Sequence, residues 1–215
     1  MDDGTTTRIS ENHYHMTTTT AQAANVLSHL EYYLQIVWPE LDVNVVSSTE
    51  QWAGAAIAGP KSRDLLQKIF PDTDVSNDAL PFMGFLEANL FGVKARIFRI
   101  SFSGELAYEV NVESDNGNFM WEKIIENGKD FNLQPYGTEA LSTLRIEMGH
   151  VAGSELDGRT IPYDTGLDGL VSKKKDFIGK RSLLRKAFNE TDRQRIVGVV
   201  PLLSLIHISE PTRQK

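Results

Sequence analysis

Residues 101–112 have the sequence SFSGELAYEVNV, in which a polar turn is followed by a strict alternation of side chains. A period of two is typical of a β-strand, because successive side chains of a strand point to opposite faces of its sheet. The apolar face carries Leu106, Tyr108, Val110 and Val112, and the other face carries Glu105, Ala107, Glu109 and Asn111. We therefore predict a strand that buries its first face and presents Glu109 in the middle of the second.

Glu109 is the first candidate functional residue, because its carboxylate lies in the middle of this strand and away from the apolar face. A carboxylate there can accept two parallel N–H bonds from a 2-amino-4-oxopyrimidine edge, which presents a ring N–H beside an exocyclic amine. The alternative is a glutamate that faces solvent, since antiparallel sheets often have one wet face. The residues alone leave both interpretations open.

Hydrophobic periodicity places further strands and helices on both sides of this strand. Strands are predicted at 5–9, 13–17, 43–47, 52–58, 82–89, 93–102, 106–112 and 196–200, and helices at 21–37, after Gly59-Pro60, at 119–126 and at 137–148. Residues 5–17 are expected to form a hairpin and residues 82–112 a meander. Hairpins mixed with helices, without a regular strand-helix-strand rhythm, predict an α+β fold of mostly antiparallel sheets with packed helices.

Two of the predicted helices carry more detailed expectations. Thr20 is a suitable N-cap for the helix at 21–37, since its side chain can accept a bond from a backbone N–H of the first turn. Leu141, Leu144 and Met148 follow helical spacing in the helix at 137–148 and predict a buried stripe. Arg145 borders that stripe, where it could clamp an anionic ligand or pair with an acidic neighbour.

Composition excludes several classes of function. The 215 residues are 40% hydrophobic and 24% charged, which is typical of a globular protein, and no apolar run approaches the ~18 residues of a membrane span. A formal net charge of −7 disfavours a general nucleic acid binder. The absence of cysteine excludes disulfides, thiolate catalysis and cysteine-ligated metals within this chain. The start does not resemble a secretory signal, so a cytoplasmic location is expected.

Residues 1–202 are predicted to form one region, truncated at both ends, with a subdomain crossing in the turn-rich stretch 72–81. Residues 203–215 resemble a translated sequencing adapter and are predicted to be a non-native tail. His13 and His15 share one face of a predicted strand and could ligate a metal. No third ligand stands at a diagnostic spacing, which favours an exposed hairpin face and no metal site.

Several motifs occur in a fixed order along the chain. They are Met16-Thr17-Thr18-Thr19-Thr20, Arg96-Ile97-Phe98-Arg99-Ile100, the strand described above, Leu144-Arg145-Ile146-Glu147, Ile161-Pro162-Tyr163-Asp164-Thr165-Gly166-Leu167 and Lys175-Asp176-Phe177-Ile178-Gly179-Lys180. Together they resemble the glycine-cleavage T-protein (aminomethyltransferase) family of folate-binding proteins, over residues 1 to about 201. Within that family the opening residues and Tyr136-Gly137-Thr138-Glu139 resemble the branch formed by the C-terminal region of heterotetrameric sarcosine oxidase alpha subunits.

The resemblance implies a T-protein-like folate-binding fold with tetrahydrofolate as the cofactor. It implies capture of formaldehyde or an iminium, released by oxidative demethylation of sarcosine, as 5,10-methylenetetrahydrofolate. The expected partners are folate, a small amine-derived one-carbon unit and other sarcosine oxidase subunits, with no nucleic acid and no membrane. Flavin and NAD are expected only in parts of the full enzyme that lie outside this chain.

The resemblance also assigns site residues. The family's catalytic acid aligns with Asp2-Asp3, of which Asp3 is favoured, and a carboxylate there can stabilise a developing iminium and relay protons. The glutamate that grips the pterin aligns with Glu109. Tyr108, Glu105 and Arg145 are weaker candidates for folate binding.

Two other functions remain open. The first is a free-standing aminomethyltransferase of the glycine cleavage system, which takes its one-carbon unit from a lipoyl-bound amine. Ala140-Leu141-Ser142 counts against it, since that branch usually carries Ala-Arg-Asp there. The second is a non-catalytic module that binds folate or docks subunits.

Overall fold

The computed structural model describes residues 2–153, 155–156 and 158–199, so the predicted non-native tail at 203–215 lies outside the described residues. The chain divides into two compact units with a boundary after His150. No helix in the described part of the chain is long and apolar enough to cross a membrane.

The described residues of the first unit form two groups of strands and four α-helices. In chain order they are β1 (Thr6–Ser10), β2 (His13–Met16), α1 (Ala23–Tyr32), β3 (Trp52–Ala58), α2 (Ser62–Ile69), β4 (Phe85–Leu90), β5 (Val93–Phe98), β6 (Ala107–Glu113), α3 (Gly117–Gly128) and α4 (Thr138–Met148). One π-helical turn, Tyr33–Val37, continues α1. The predicted hairpin is confirmed as β1 and β2, and the predicted meander as β4, β5 and β6.

The four strands β3 to β6 form one antiparallel sheet in the order β3-β6-β5-β4. The pairing of β3 with β6 runs without a break from Trp52 opposite Glu113 to Ala58 opposite Ala107. Antiparallel sheets accompanied by helices confirm the predicted α+β class.

One face of this sheet is covered by α2 and α3, and the hydrophobic core lies between them. The alternation predicted for β6 is confirmed, because Tyr108, Val110 and Val112 are fully buried on this face. The buried cluster consists of Ile57, Leu65, Leu66, Ile69, Phe70, Val75, Leu80, Leu90, Ala95, Ile97, Tyr108, Val110, Val112, Met120 and Ile124. Residues 52–131, which we call the central module, therefore supply the whole of this cluster.

Two predicted strands are wrong. Residues 43–47 form no strand, and Val43 and Val46 are 53% and 82% exposed. Residues 196–199 form none either, although their β-branched side chains favour one. Propensity alone does not make a strand, because the backbone also needs an edge to pair with. None of the strands in the described residues pairs with either segment.

The details predicted for two helices are also corrected. Thr20 does not cap α1, because a 3₁₀ turn at Thr20–Gln22 precedes that helix and Thr19 occupies the cap position of the turn. The predicted stripe of α4 is not buried, since no residue of that helix is buried and Met148 is 57% exposed. The spacing identifies the apolar side of the helix, but the described part of the first unit covers it only in part, since Leu141 and Leu144 are half-buried.

The second unit, residues 151–199, consists of loops and three short 3₁₀ turns among its described residues. Asp164, which is 7% exposed, accepts hydrogen bonds at its carboxylate from the Arg193 guanidinium and from the Ile161 N–H. Arg193 also donates to the carbonyl oxygens of Ala187 and Arg159. A buried ion pair thus joins the loops of this unit.

Candidate functional site

The second face of the four-stranded sheet carries Glu109. In the register, Glu109 of β6 lies between Ala56 of β3 and Phe98 of β5. Side chains directly opposite one another in a sheet share a face, so the surroundings of Glu109 are set by its neighbours on these two strands.

The Glu109 carboxylate is half-buried and makes no hydrogen bond or ion pair with any described residue. Burial raises the pKa of this carboxyl above its usual value, because removal from water disfavours the charged form. A carboxylate withdrawn from water without a donor is costly, which makes Glu109 a group prepared to accept hydrogen bonds from a ligand.

Arg96 supplies a second unused polar group on this face. It lies opposite Asn111 in the register, and its guanidinium stacks over the Trp52 ring, 4.1 Å from the ring centroid. Its Nε is buried and has no hydrogen-bond partner among the described residues, because the Glu87 carboxylate is 3.7 Å away and therefore forms only an ion pair. The same face thus offers an acceptor at Glu109 and an Nε–H donor at Arg96 that make no hydrogen bond with the described residues.

Aromatic rings surround these two polar groups. The Phe98 ring lies 5.1 Å from that of Phe85 and stacks with the imidazole of His15 at 5.8 Å, with 25° between the planes. His15 also approaches the edge of Trp52 at 6.3 Å. Flat apolar surfaces next to an unpaired donor and acceptor are suited to a heteroaromatic ring with polar edges.

His15 lies on β2, so the hairpin contributes directly to this face. The predicted exposed hairpin face is therefore corrected: His13 is exposed, but His15 is half-buried against Phe98 and Trp52. Burial is the largest cause that lowers the pKa of His15, followed by the charges of Arg96 and His13. Both effects disfavour the charged imidazolium. No group of three potential ligands that could hold a metal occurs among the described residues.

The two adjacent acids at the start of the chain differ in their contacts. Asp2 accepts a hydrogen bond from the Thr19 N–H at 2.7 Å and from its hydroxyl at 3.1 Å, so its carboxylate holds the residues before α1. Asp3 is exposed and forms no hydrogen bond or ion pair with a described residue. Asp3 therefore has the free carboxylate that acid/base chemistry needs, while that of Asp2 is engaged in structure.

Tyr108 lies on the face opposite to Glu109, so the structure does not bring these two predicted folate-binding residues together. Its ring is fully buried under the Arg63 guanidinium, which lies 5.4 Å from the ring centroid. Its hydroxyl has no partner among the described residues, and burial raises the pKa of that hydroxyl. Tyr108 is part of the core of the central module.

Glu105 and Arg145 lie near the turn that precedes β6. Glu105 is exposed in that turn. Gly104 adopts a φ of +85°, and a Cβ added to it would lie 2.7 Å from the Met148 side chain, so the turn packs closely on the end of α4. Arg145 donates a hydrogen bond to the His150 carbonyl oxygen at 3.1 Å and thereby supports the C-terminus of the same helix.

Four members of the site are not predicted from the sequence, namely Arg96, Phe98, Trp52 and His15. Alternation along β5 and β3 was available as a signal for Arg96, Phe98 and Trp52, since it places each of these three side chains on a definite face, whereas His15 lies on β2 of the hairpin. Finding them also requires the register between strands, and that register is a property of the folded sheet.

The profile of the GCVT N-terminal domain family matches residues 1–175, and the chain belongs to this family. The recognised T-protein resemblance is thereby confirmed.

Among curated proteins, the chain is 52% identical to the sarcosine oxidase subunit alpha of Rhizobium meliloti (strain 1021) over 204 residues, which are 94% of this chain and 21% of that protein. It is 47% identical to the sarcosine oxidase subunit alpha of Corynebacterium sp. (strain P-1), over 97% of this chain and 22% of that protein. An aminomethyltransferase of Halothermothrix orenii is 36% identical over 66% of this chain and 39% of its own length. The chain thus spans about a fifth of the length of the sarcosine oxidase alpha subunits that it matches.

Proposed function

We propose that the chain is the tetrahydrofolate-binding, one-carbon transfer part of a sarcosine oxidase alpha subunit. The observation that carries this proposal is the half-buried Glu109 carboxylate, which has a raised pKa and no partner among the described residues. The relatives of the chain carry enzyme names. The sequence identity to sarcosine oxidase subunits is higher, and covers more of the chain, than the identity to the aminomethyltransferase.

The face of the four-stranded sheet that carries Glu109, which we call the polar face, has residues that fit a reduced pterin. Glu109 would accept the ring N–H and the exocyclic amine of the pterin as two parallel, charge-assisted bonds. The free Nε–H of Arg96 would donate to the carbonyl oxygen on the same ring, and Phe98 and Trp52 would provide its apolar contacts. Each polar edge of the ring thereby meets a protein group that is otherwise unsatisfied.

Bound tetrahydrofolate would supply two amine nitrogens between which the one-carbon unit forms a methylene bridge. From formaldehyde one water would leave, and from an iminium the parent amine and one proton would leave. Asp3 would carry the acid/base role in this chemistry, because a free carboxylate can accept a proton from the attacking amine and stabilise a cationic intermediate. Asp2 would keep Asp3 in place through its bonds to Thr19. The amine would be oxidised by the flavin- and NAD-dependent parts of the full enzyme, together with its other subunits.

Calorimetric titration of the 215-residue chain with tetrahydrofolate under anaerobic conditions tests the proposal. We expect saturable binding that Glu109→Gln weakens by about 10- to 100-fold, because charge-assisted bonds are lost. Glu113→Gln is the matched control, since Glu113 lies on the same strand and face but is exposed. If the chain is folded and does not bind tetrahydrofolate, or if both variants bind equally, Glu109 is not the pterin anchor.

Asp3→Ala separates binding from chemistry. We expect this variant to bind tetrahydrofolate with unchanged affinity and to lose formaldehyde capture by at least about tenfold, as is typical for removal of a general acid/base. Asp2→Ala is a useful comparison, because it removes the bonds to Thr19 rather than the free carboxylate. Unchanged capture in Asp3→Ala would favour the non-catalytic folate-binding module instead.

A further inference from the structure

Strand β3 forms one edge of the four-stranded sheet, and β6 is its only partner among the described strands. The Gly59 N–H donates to the Leu106 carbonyl oxygen at 2.9 Å, which identifies this opposed pair as hydrogen-bonded. Bonded and non-bonded pairs alternate along an antiparallel ladder. The peptide groups of Gly54, Ala56 and Ala58 therefore point away from β6, and none of them bonds to another described residue.

This edge lacks the features that usually prevent the addition of another strand. Natural edge strands carry charges, prolines or bulges, or are covered by other elements. Strand β3, with the sequence WAGAAIA, has no charged residue and no proline, and its pairing with β6 has no bulge. The opposite edge, β4, differs because it carries Glu87.

A groove of about 1000 Å³ runs along the free edge of β3. Its other walls come from α3 and from residues 131–138, and all of these elements belong to the first unit. Trp121 and Tyr136 line the groove and are 49% and 43% exposed. The small side chains of β3 leave these aromatic rings accessible to an incoming chain.

Opposite charges lie near the two ends of the groove. Lys61 lines the groove beyond the C-terminal end of β3, whereas Asp115 lines it close to Glu113, the partner of Trp52 at the N-terminal end. Neither side chain forms a hydrogen bond or ion pair with a described residue. A strand that runs antiparallel to β3 would bring its own N-terminal end to Lys61 and its C-terminal end to Asp115.

We propose that the edge of β3 binds an extended peptide segment of a partner polypeptide, which adds to the sheet as an antiparallel fifth strand. The peptide groups of Gly54, Ala56 and Ala58 supply the backbone bonds. An acidic residue at the N-terminal end of the segment meets Lys61, a basic residue at its C-terminal end meets Asp115, and apolar side chains between them contact Trp121. Strand addition of this kind combines main-chain affinity with side-chain selectivity.

The test uses the 215-residue chain and a fluorescent probe peptide, Glu-Val-Thr-Val-Thr-Val-Lys, with blocked termini. We expect saturable binding by fluorescence anisotropy. A peptide of the same sequence that is methylated at every peptide nitrogen should bind at least about tenfold more weakly, because it cannot donate to the edge. A peptide with the terminal Glu and Lys exchanged should bind about threefold more weakly.

Variants of the chain test whether the peptide binds at the edge of β3. Ala56→Pro removes a donor that β6 does not use, so the sheet should persist by circular dichroism while peptide affinity falls by about tenfold. Trp121→Ala tests the groove without touching the backbone, and Glu122→Gln is its matched control, because that neighbour is exposed and does not line the groove. Lys61→Glu should reverse the preference between the two charged peptides.

Several outcomes would overturn the proposal. One is a folded chain that does not bind the peptide, and another is binding that full N-methylation and Trp121→Ala both leave unchanged. A third is a dimer seen by sedimentation without peptide and abolished by Ala56→Pro, which would assign the edge to a second copy of the chain.

Discussion

The central module and the segments that flank it are built from similar sequence patterns but are packed very differently. Helix α2 buries four of its eight residues, whereas α1 and α4 bury none. All three helices carry apolar residues at helical spacing. The comparison shows that periodicity defines which side of a helix is apolar, while burial depends on a second surface that covers it.

The flanks are ordered by polar and local contacts instead. Asp2 holds the residues before α1, the His150 N–H bonds to the Arg145 carbonyl oxygen at 2.8 Å, and the ion pair of Asp164 with Arg193 joins the loops of the second unit. Stability in this chain should therefore respond to different substitutions in the two regions.

The largest effect is expected in the core of the central module. Leu66 of α2 is fully buried, so Leu66→Ala should lower the free energy of unfolding by about 2–5 kcal/mol. Leu144→Ala is the matched change in a flanking helix, where the side chain is half-buried and the loss should stay below about 1 kcal/mol. Urea denaturation followed by circular dichroism measures both, and equal losses would contradict the comparison.

A smaller and local effect is expected from Asp164→Asn. The hydrogen bond from Arg193 is the main cause that holds the pKa of Asp164 below its usual value, and the charged form is therefore stabilised by folding. Without that charge, the loops of the second unit should be cleaved by trypsin roughly tenfold faster, while the central module stays protected. Asp168→Asn is the control, since Asp168 is exposed. Uniform cleavage of both units would show that the ion pair does not act locally.

The central module could be predicted well from sequence because its signals are local. The limits of β3 were found to the residue, and the helix expected after Gly59-Pro60 is α2. Residues 43–47 could not be assigned correctly, because their β-branched side chains favour a strand and only the lack of a paired edge among the described strands shows otherwise.

The candidate site likewise contains residues that local signals predict and residues that depend on strand pairing. Alternation along β6 separated Glu109 from Tyr108, although the family resemblance grouped both as folate-binding residues. Arg96 and His15 could not be predicted as site residues from the sequence, because their positions near Glu109 depend on the strand register and on the packing of the hairpin. The alternation of side chains is encoded within one strand, whereas the pairing register depends on how several strands fit together.

Glu109→Gln tests whether the polar face is maintained at a cost to stability. The raised pKa means that the folded state binds more protons than the unfolded state between the usual and the raised value, so stability falls as pH increases through that window. At pH 7 the variant should melt about 1–4 °C higher than the parent chain. Below pH 4 the two melting temperatures should converge. A lower melting temperature at pH 7 would indicate that Glu109 has a structural role.

The smallest effect is expected on the other side of the same strand. Tyr108→Phe removes a buried hydroxyl without a partner among the described residues and keeps the ring under Arg63, so the free energy of unfolding should change by less than about 0.5 kcal/mol or increase. Tetrahydrofolate affinity should stay within about twofold of the parent value, because the ring lies in the core. Calorimetry on Tyr108→Phe beside Glu109→Gln therefore compares the two faces of β6 directly. A loss of affinity in Tyr108→Phe would mean that the folate reaches the helical side of the sheet, and the polar face would no longer be the preferred site.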